Sequence, residues 1–234
     1  MRDDPAAEQP EFRNLRNSWY HEVALRYPDD FEMRLIFSGW KVIQCYYSVY
    51  AAVSSLVRCV YPVGQLGQKK TLSIYSKEIL TRPKFRDCFL PPVNLYIDES
   101  NNFRNGDEVE WKYGREHHVP VIEEGLRYAR GTTTGLTTVL HYLKNVREWA
   151  TYVDSYLLFR MYGESVKRNL DYSLQMIASF YAMQTETILI RAFGYGALAQ
   201  QYAVFTSQLE RYLGLKHSHL DQRFAVYQSI LSGS

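Results

Sequence analysis

One stretch of the sequence constrains the fold more than any other: residues 40–57, which read WKVIQCYYSVYAAVSSLV. The stretch is about as long as a membrane span, but Lys41, Gln44 and three tyrosines interrupt it, and Arg58 and Pro62 close it. Charged and amide side chains are rare in helices that face lipid. The stretch therefore predicts a central helix of a helical protein, buried on most of its surface and not crossing a membrane.

Two shorter segments on either side of this stretch also have helical patterns. Residues 1–14 are polar and predict a flexible, frayed N-terminus, which is followed by a first helix from Leu15 to Tyr27 that ends at a proline. A short helix is predicted in TLSIYSKEIL, residues 71–80, with Thr71 as its N-cap and a proline soon after its end.

Long amphipathic helices are predicted over residues 133–231, because apolar residues recur there at spacings of three and four. The first of these helices carries Leu136, Val139, Leu143, Val146, Ala150, Val153 and Leu157. The second carries Leu170, Leu174, Ile177, Tyr181 and Ile188, and the third Leu198, Tyr202, Phe205 and Leu209. Gly163, the GYG motif around Tyr195 and Gly214 are the expected ends, and a last short helix is predicted from Asp221 to Leu231.

The helical pattern is interrupted over residues 84–122. Pro91-Pro92 opens this segment, NLYID and EVEWKY alternate in hydrophobicity, and Asn105-Gly106 lies between them. These features predict a small β-hairpin or an ordered loop around residues 93–114. Since no linker or internal repeat is visible, residues 1–234 are predicted to form a single all-α domain that carries this insert.

The composition limits the kinds of function that the chain can have. With 27 basic and 25 acidic residues, the net charge of +2 gives no strong overall field, so any binding to nucleic acid must use a local patch. The acidic start of the chain lacks the apolar run of a signal peptide, and the three cysteines (Cys45, Cys59 and Cys88) have no metal-ligand spacing. We therefore expect a cytoplasmic protein without a structural metal or cofactor.

Three segments resemble the HEPN family, the nucleotide-binding helical domains of higher eukaryotes and prokaryotes. The run WKVIQCYYSVYAAVSSLV resembles the second HEPN helix, which has a Tyr-Tyr-x-x-aromatic-Ala-Ala pattern, and KKTLSIYSKEIL resembles the helix that follows it. The segment YLKNVREWATYVDSY resembles the Leu-x-x-x-Arg-x-x-Ala-x-Tyr signature, which is met here by Leu143, Arg147, Ala150 and Tyr152.

This resemblance implies a HEPN-like helical bundle that forms a homodimer or a complex with a protein partner. Active members are metal-independent ribonucleases that use an Arg-x(4–6)-His pair, and other members are inactive scaffolds or nucleotide-binding modules. Arg147 matches the arginine, whereas Tyr152 stands where an active member has histidine, and tyrosine is a poor base at neutral pH. Catalysis by this pair is therefore in doubt.

The resemblance thus favours an accessory or regulatory protein that contacts protein or RNA in a prokaryotic defence or toxin-type system. Two alternatives stay open at this stage: a metal-independent ribonuclease, and a non-catalytic structural subunit of a larger complex. Two further pairs have the Arg-x(4–6)-His spacing, Arg16 with His21 and Arg211 with His217. Chance gives about as many such pairs, so each pair is a catalytic candidate only because it lies near a predicted helix end.

Two basic segments are candidates for phosphate or RNA binding. In RYARGTTTG, the residues Arg127, Arg130, Thr132 and Thr133 precede a predicted helix, whose free N–H groups attract anions. The second segment is a run of cations with interleaved aromatic residues: Lys69, Lys70, Arg82, Lys84 and Arg86. The alternatives are a threonine N-cap for the first segment and a solvated helix face for the second.

Overall fold

Helices make up most of the regular structure. The structure is a computed structural model, and it describes residues 9–27, 38–61, 66–79, 96–97, 103–104, 137–138, 140, 143–144, 147–148, 164–214 and 217–232. Its helices are α1 (Pro10–Leu25), α2 (Ser38–Val60), α3 (Gln68–Ile74), α4 (Glu164–Phe193), α5 (Tyr195–Leu213) and α6 (Ser218–Ser232), and the π-helical turn Tyr75–Ile79 extends α3. For the residues described, the predicted all-α class is confirmed.

Three strands of two residues each accompany the helices. Strand β1 (Tyr96–Ile97) pairs antiparallel with β2 (Phe103–Arg104) and with β3 (Thr137–Thr138), in the order β2-β1-β3. The first pairing falls within residues 93–114, where the sequence predicts a hairpin or an ordered loop. Because most of the insert lies outside the described residues, the hairpin stays a prediction.

The central helix α2 is buried on most of its surface, as its sequence predicts. Its buried apolar side chains are Val42, Cys45, Tyr46, Val49, Ala51, Ala52, Val53, Leu56 and Val57. Lys41 is also buried, with 1% of its surface exposed, because it forms an ion pair with Asp171 of α4. Among the helices within the described ranges, none combines the length and the apolar character that a membrane crossing requires.

Two clusters of buried apolar side chains form the core. The first surrounds α2 and includes side chains of α3 and α4 together with Leu140 and Leu143. The second joins α1 to α5, to α6 and to the C-terminal part of α4. Trp19 is fully buried in this second cluster, and its ring lies 5.4 Å from that of Phe205 and 5.7 Å from that of Phe224. Helices from both ends of the described chain therefore share one core.

Two helix starts differ from the sequence prediction. Helix α1 begins at Pro10 rather than Leu15, so residues 10–14 are not part of a frayed end. Proline suits the first position of a helix, and the buried ring of Phe12 packs 5.3 Å from that of Phe193 in α4. Thr71 is not the N-cap of α3: it lies inside the helix, where its hydroxyl donates to the carbonyl of Gly67, 3.3 Å away.

The C-terminal helices follow the predicted pattern. Gly194, with a φ of +84°, separates α4 from α5, and Gly214, with a φ of +60°, is the left-handed C-cap that the sequence predicts. Helix α6 begins at Ser218, slightly before the expected Asp221. Within the helix predicted around residues 136–157, Leu140, Leu143, Lys144, Arg147 and Glu148 are helical, but Thr137 and Thr138 form strand β3, so the predicted helix is wrong at its start.

Candidate functional site

Small side chains bring helices α1 and α2 close together. Ser18 and Ser48 are fully buried where the helices meet, with their hydroxyl oxygens 3.2 Å apart, and the hydroxyl of Ser48 donates to the carbonyl of Ser18 at 3.1 Å. His21 lies one turn after Ser18 on α1, and Tyr47 precedes Ser48 on α2. The close approach of the two backbones therefore places the imidazole of His21 beside the ring of Tyr47.

His21 is held in one orientation by two contacts. Its ring stacks on that of Tyr47, with centroids 5.5 Å apart and planes 26° apart, and its Nδ1 lies 2.6 Å from Oε1 of Gln44. An amide oxygen only accepts hydrogen bonds, so Nδ1 carries the proton and donates it to Gln44. Burial lowers the pKa of His21 below 6.5. At neutral pH the imidazole is therefore uncharged, and Nε2 holds the basic lone pair.

Arg147 reaches the same tyrosine from the helical segment that follows the insert. Its Nη1 donates to the hydroxyl of Tyr47 at 3.2 Å, and its Cζ lies 5.0 Å from the ring centroid of Tyr46 and 5.9 Å from that of Tyr47. These distances are typical of cation–π contacts. Glu148 accepts a contact of 3.2 Å from Nη2 of Arg147 and another of 3.2 Å from Nζ of Lys144.

Further aromatic side chains of α2 lie next to Tyr47. Tyr46 stacks against Tyr50 with planes 14° apart, and its hydroxyl accepts a hydrogen bond from Gln68 at the start of α3. Tyr47 is 36% exposed and Trp40, two turns earlier on the same face of α2, is 56% exposed. We call the set of Trp40, His21, Tyr46, Tyr47 and Arg147 the aromatic–arginine site.

The structure brings together Arg147 and His21, which the sequence patterns place in two different candidate pairs. Arg147 was matched to Tyr152, which lies outside the described residues, and His21 was paired with Arg16. Both Arg147 and His21 contact Tyr47 instead. Arg16 points to another helix: its Nη1 donates to Gln201 of α5. The five-residue spacing sends Arg16 and His21 to different neighbours, since such positions face apart on a helix.

In the second Arg–His candidate pair, Arg211 and His217, the two side chains also have different partners. Nδ1 of His217 lies 3.0 Å from Asp221 and Nε2 lies 3.5 Å from Glu210, so carboxylates face both ring nitrogens. The guanidinium of Arg211 stacks on the ring of Tyr212, 5.3 Å from its centroid, and Arg211 is exposed. This geometry ties the end of α5 to the start of α6.

Of the predicted phosphate-binding residues, the structure describes Lys69 and Lys70. Both are exposed in the first turn of α3, directly after Gln68, which contacts Tyr46. The helix dipole is positive at this end, so two further cations there raise the local potential. The other candidates lie outside the described residues: Arg82, Lys84, Arg86, Arg127, Arg130, Thr132 and Thr133.

A second ionic cluster is one that the sequence did not indicate. Glu22 of α1 and Glu186 of α4 are fully buried, and Arg223 of α6 bridges them. Its guanidinium contacts both oxygens of Glu22, at 2.9 and 3.0 Å, and Oε1 of Glu186 at 2.8 Å. Trp19 and Tyr227 also donate to Glu186, at 2.6 and 2.7 Å. We call this set the buried carboxylate cluster, and its paired, water-excluded groups indicate a structural role.

The electrostatics of the buried carboxylate cluster agree with this role. Burial alone would raise the pKa of Glu22, but the guanidinium of Arg223 lowers it to about 2. Burial raises the pKa of Glu186, and Arg223 acts in the opposite direction. Burial and the nearby Arg26 lower the pKa of His219 to about 4. Within the described residues, no group of histidine, cysteine and carboxylate side chains has the geometry to hold a metal ion.

Comparison of the chain with protein-family models, with curated proteins and with solved structures gives no match. The fold and the two clusters therefore define the class of protein by themselves. In the part of the chain that the structure describes, it is an all-α protein with a water-excluded ionic cluster and a partly exposed aromatic and cationic surface, and this surface is the candidate functional site.

Proposed function

We propose that this chain is an accessory RNA-binding protein and that the aromatic–arginine site contacts single-stranded RNA. The observation that carries the proposal is the convergence of His21 and Arg147 on the half-exposed ring of Tyr47. A partly exposed aromatic ring with a guanidinium beside it offers one group for contact with a base and one for contact with a phosphate. Single-stranded nucleic acid needs this combination, because its bases are free to stack.

The spacing of the exposed rings suits successive bases. Tyr47 and Trp40 are seven residues apart on one face of α2, which corresponds to about 10 Å along the helix axis. Bases stack on aromatic side chains without regard to their identity, so we expect little sequence preference. A rigid duplex hides its base faces, and we therefore expect weaker binding of double-stranded RNA.

Cations lie where the phosphates would pass. Arg147 and Lys144 share one carboxylate partner, Glu148, which is 42% exposed. The side chains of Arg147 and Lys144 are 16% and 27% exposed, and a phosphate that replaces Glu148 would keep the guanidinium paired with an anion. Lys69 and Lys70 extend the positive surface beyond Tyr46 by way of Gln68. The local patch therefore supplies the charge that the net charge of +2 does not.

The proposal also includes the fold family and the biological system. We propose a HEPN-like bundle with a hairpin or ordered-loop insert at residues 93–114, and an accessory role in a prokaryotic defence or toxin-type system. Its support is the resemblance of residues 40–57 and of the segment around Arg147 to HEPN helices, together with the helical fold. The site supports RNA contact on its own geometry, whichever system the protein serves.

A second candidate function, metal-independent RNA cleavage, is favoured by one observation. His21 is neutral at pH 7 and its Nε2 has a free lone pair, so it can accept the proton of a 2′-hydroxyl. The 2′-oxygen would then attack the phosphorus, the bond from phosphorus to the 5′-oxygen would break, and the 5′-oxygen would take a proton from water while His21 keeps the proton of the 2′-hydroxyl. Arg147 would hold the phosphate oxygens. We rank this candidate second because Tyr152, and not a histidine, stands at the motif position paired with Arg147.

Titration of a labelled single-stranded RNA, followed by fluorescence anisotropy, tests the binding proposal. Arg147→Gln and Tyr47→Leu should each weaken binding about tenfold, since a stacked base or a phosphate contact is lost. Arg13→Gln and Tyr172→Leu are the matched controls, because both residues are exposed on other helix faces. No binding by the wild type, or equal losses in test and control variants, would contradict the proposal.

The same RNA, incubated in EDTA and examined on a gel, separates the two functions. Intact RNA with normal binding supports the accessory protein. Cleavage that persists in EDTA and disappears in His21→Ala supports the second candidate. Cleavage that EDTA abolishes would contradict both candidates, because the first does not cleave RNA and the second cleaves it without a metal ion.

A further inference from the structure

Helix α6 buries only one of its sides. Leu220, Arg223 and Phe224 face the core, and they are between 0% and 8% exposed. On another side, Val226 is 53% exposed and Ile230 is 62% exposed, and a spacing of four places them on one face. Two large branched side chains on one exposed helix face favour contact with another surface.

The C-terminal half of this face carries no charge. Residues 224–234 include no acidic or basic residue and no histidine, although 22% of the chain is charged. At a two-fold interface each surface meets its own copy, so a charged residue near the axis would face a like charge. A neutral apolar face therefore suits self-association better than contact with a partner selected by charge.

The other end of the same hairpin complements this face. Helices α5 and α6 run antiparallel, as the stacking of Tyr202 on Phe224 at 3.8 Å and the contact of His217 with Glu210 show. Near the turn between them, Tyr212 is 70% exposed and Leu213 is 57% exposed. The turn end of the hairpin is thus apolar as well, next to the exposed cation Arg211.

We propose that α6 forms a homodimer in which the α6 helices of two copies pack antiparallel about a two-fold axis. The turn end of one hairpin then lies beside the C-terminal end of α6 in the other copy, where Tyr212 and Leu213 cover Ile230. The last turn of α6 has no basic residue of its own. Arg211 of the second copy supplies the positive charge that the carbonyl groups at a helix C-terminus favour.

The size of this face indicates how strong the dimer is. A helix of 15 residues is about 22 Å long, and one of its faces is smaller than the roughly 800 Å² per partner of a standard interface. We therefore expect a dissociation constant on the order of micromolar, so that monomer and dimer exchange on dilution.

Sedimentation equilibrium over a series of micromolar concentrations tests the dimer. The wild type should pass from monomer to dimer mass, and Ile230→Asp should raise the dissociation constant at least about tenfold, because two carboxylates enter an apolar interface. Gln228→Asp is the matched control: it adds the same charge to another exposed position of α6, on the opposite side from Ile230. A wild type that stays monomeric, or equal dissociation constants for the two variants, would overturn the proposal.

Disulfide trapping gives an independent measurement. Val226 lies near the middle of α6, so Val226→Cys should give a covalent dimer on mild oxidation, whereas Gln228→Cys should not. The wild type is oxidised in parallel, because Cys45, Cys59 and Cys88 are present in every variant. Equal yields of covalent dimer from the two variants would mean that Val226 does not lie at the interface, and they would exclude the antiparallel arrangement.

Discussion

The buried carboxylate cluster and the aromatic–arginine site each place an arginine among titratable side chains, and they differ in their access to water. Arg223 lies between two fully buried carboxylates and makes three contacts of 3.0 Å or less. Arg147 lies over the buried ring of Tyr46 and the exposed ring of Tyr47, its side chain is 16% exposed, and its carboxylate partner Glu148 is 42% exposed. One arrangement holds helices together inside the core, and the other places a partly exposed cation beside the exposed ring of Tyr47.

This difference has an energetic cause. Charges that are excluded from water depend on each other, since removal of one leaves the other without a partner or a hydration shell. Charges at the surface lose little when a partner is removed, because water replaces it. The same residue type is therefore expected to affect stability in one cluster and binding in the other, and four predictions test this contrast.

The largest expected effect is on stability, from Arg223→Leu. Loss of the guanidinium leaves Glu22 and Glu186 buried and unpaired, so the free energy of unfolding should fall by about 3–5 kcal/mol. Urea denaturation followed by circular dichroism measures this change. Arg13→Leu, at an exposed position of α1, is the control and should change stability by less than about 0.5 kcal/mol. Equal midpoints for the two variants would show that the cluster is not structural.

The sequence predicts the helices better than it predicts either cluster. The spacing of apolar residues indicates α2, α4 and α5 because helical periodicity is a local property. The early start of α1 was missed because it depends on the packing of Phe12 against Phe193, which are distant in the chain. Such a contact leaves no local pattern in the sequence.

The buried carboxylate cluster and the aromatic–arginine site also depend on contacts between residues that are distant in the chain. Glu22 and Arg223 are 201 residues apart, and each looks like an ordinary charged residue on an amphipathic helix. Arg147 and His21 were both candidates, one from a resemblance and one from a spacing, but their common contact with Tyr47 is tertiary. The Tyr-Tyr run in residues 40–57 was the available signal, and the sequence alone does not show that one tyrosine is buried while the next is exposed.

The second prediction concerns the stability of the protein in acid. The pKa of His219 is lowered from 6.5 to about 4, so the unfolded chain binds this proton first and stability falls as the pH drops from 6.5 to 4. The pKa of Glu22 is lowered from 4.5 to about 2, and its contribution of about 3 kcal/mol is lost between pH 4.5 and 2. Glu186 acts in the opposite sense, because burial raises its pKa.

Urea denaturation at a series of pH values measures these contributions separately. His219→Gln should flatten the dependence between pH 6.5 and 4 and leave the steeper loss at lower pH. Glu22→Gln should remove that steeper loss, at the cost of lower stability at neutral pH. A wild type that is equally stable at pH 7 and pH 4 would contradict the assignment of His219.

The third prediction concerns Arg147, the arginine of the aromatic–arginine site. Arg147→Gln should lower the free energy of unfolding by about 1 kcal/mol or less, because water reaches both of its polar partners, Tyr47 and Glu148. The same variant should lose most of its RNA affinity. A large loss of stability without any change in RNA binding would place Arg147 with Arg223 as a structural residue, and the aromatic–arginine site would lose its cation.

The smallest expected effect is a shift in the titration of His21. Burial lowers its pKa below 6.5, while the hydrogen bond to Gln44 acts to raise it. Gln44→Leu removes this hydrogen bond and should move the NMR titration midpoint of His21 to lower pH. Gln208→Leu is a suitable control, since Gln208 contacts α1 through Tyr20 and not through His21. If the protein cleaves RNA, activity should fall in acid with the same midpoint as His21, because only the neutral imidazole accepts a proton. A midpoint above 6.5, or one that rises in Gln44→Leu, would mean that His21 is solvated like an ordinary surface histidine and is not set in place by the packing of α1 on α2.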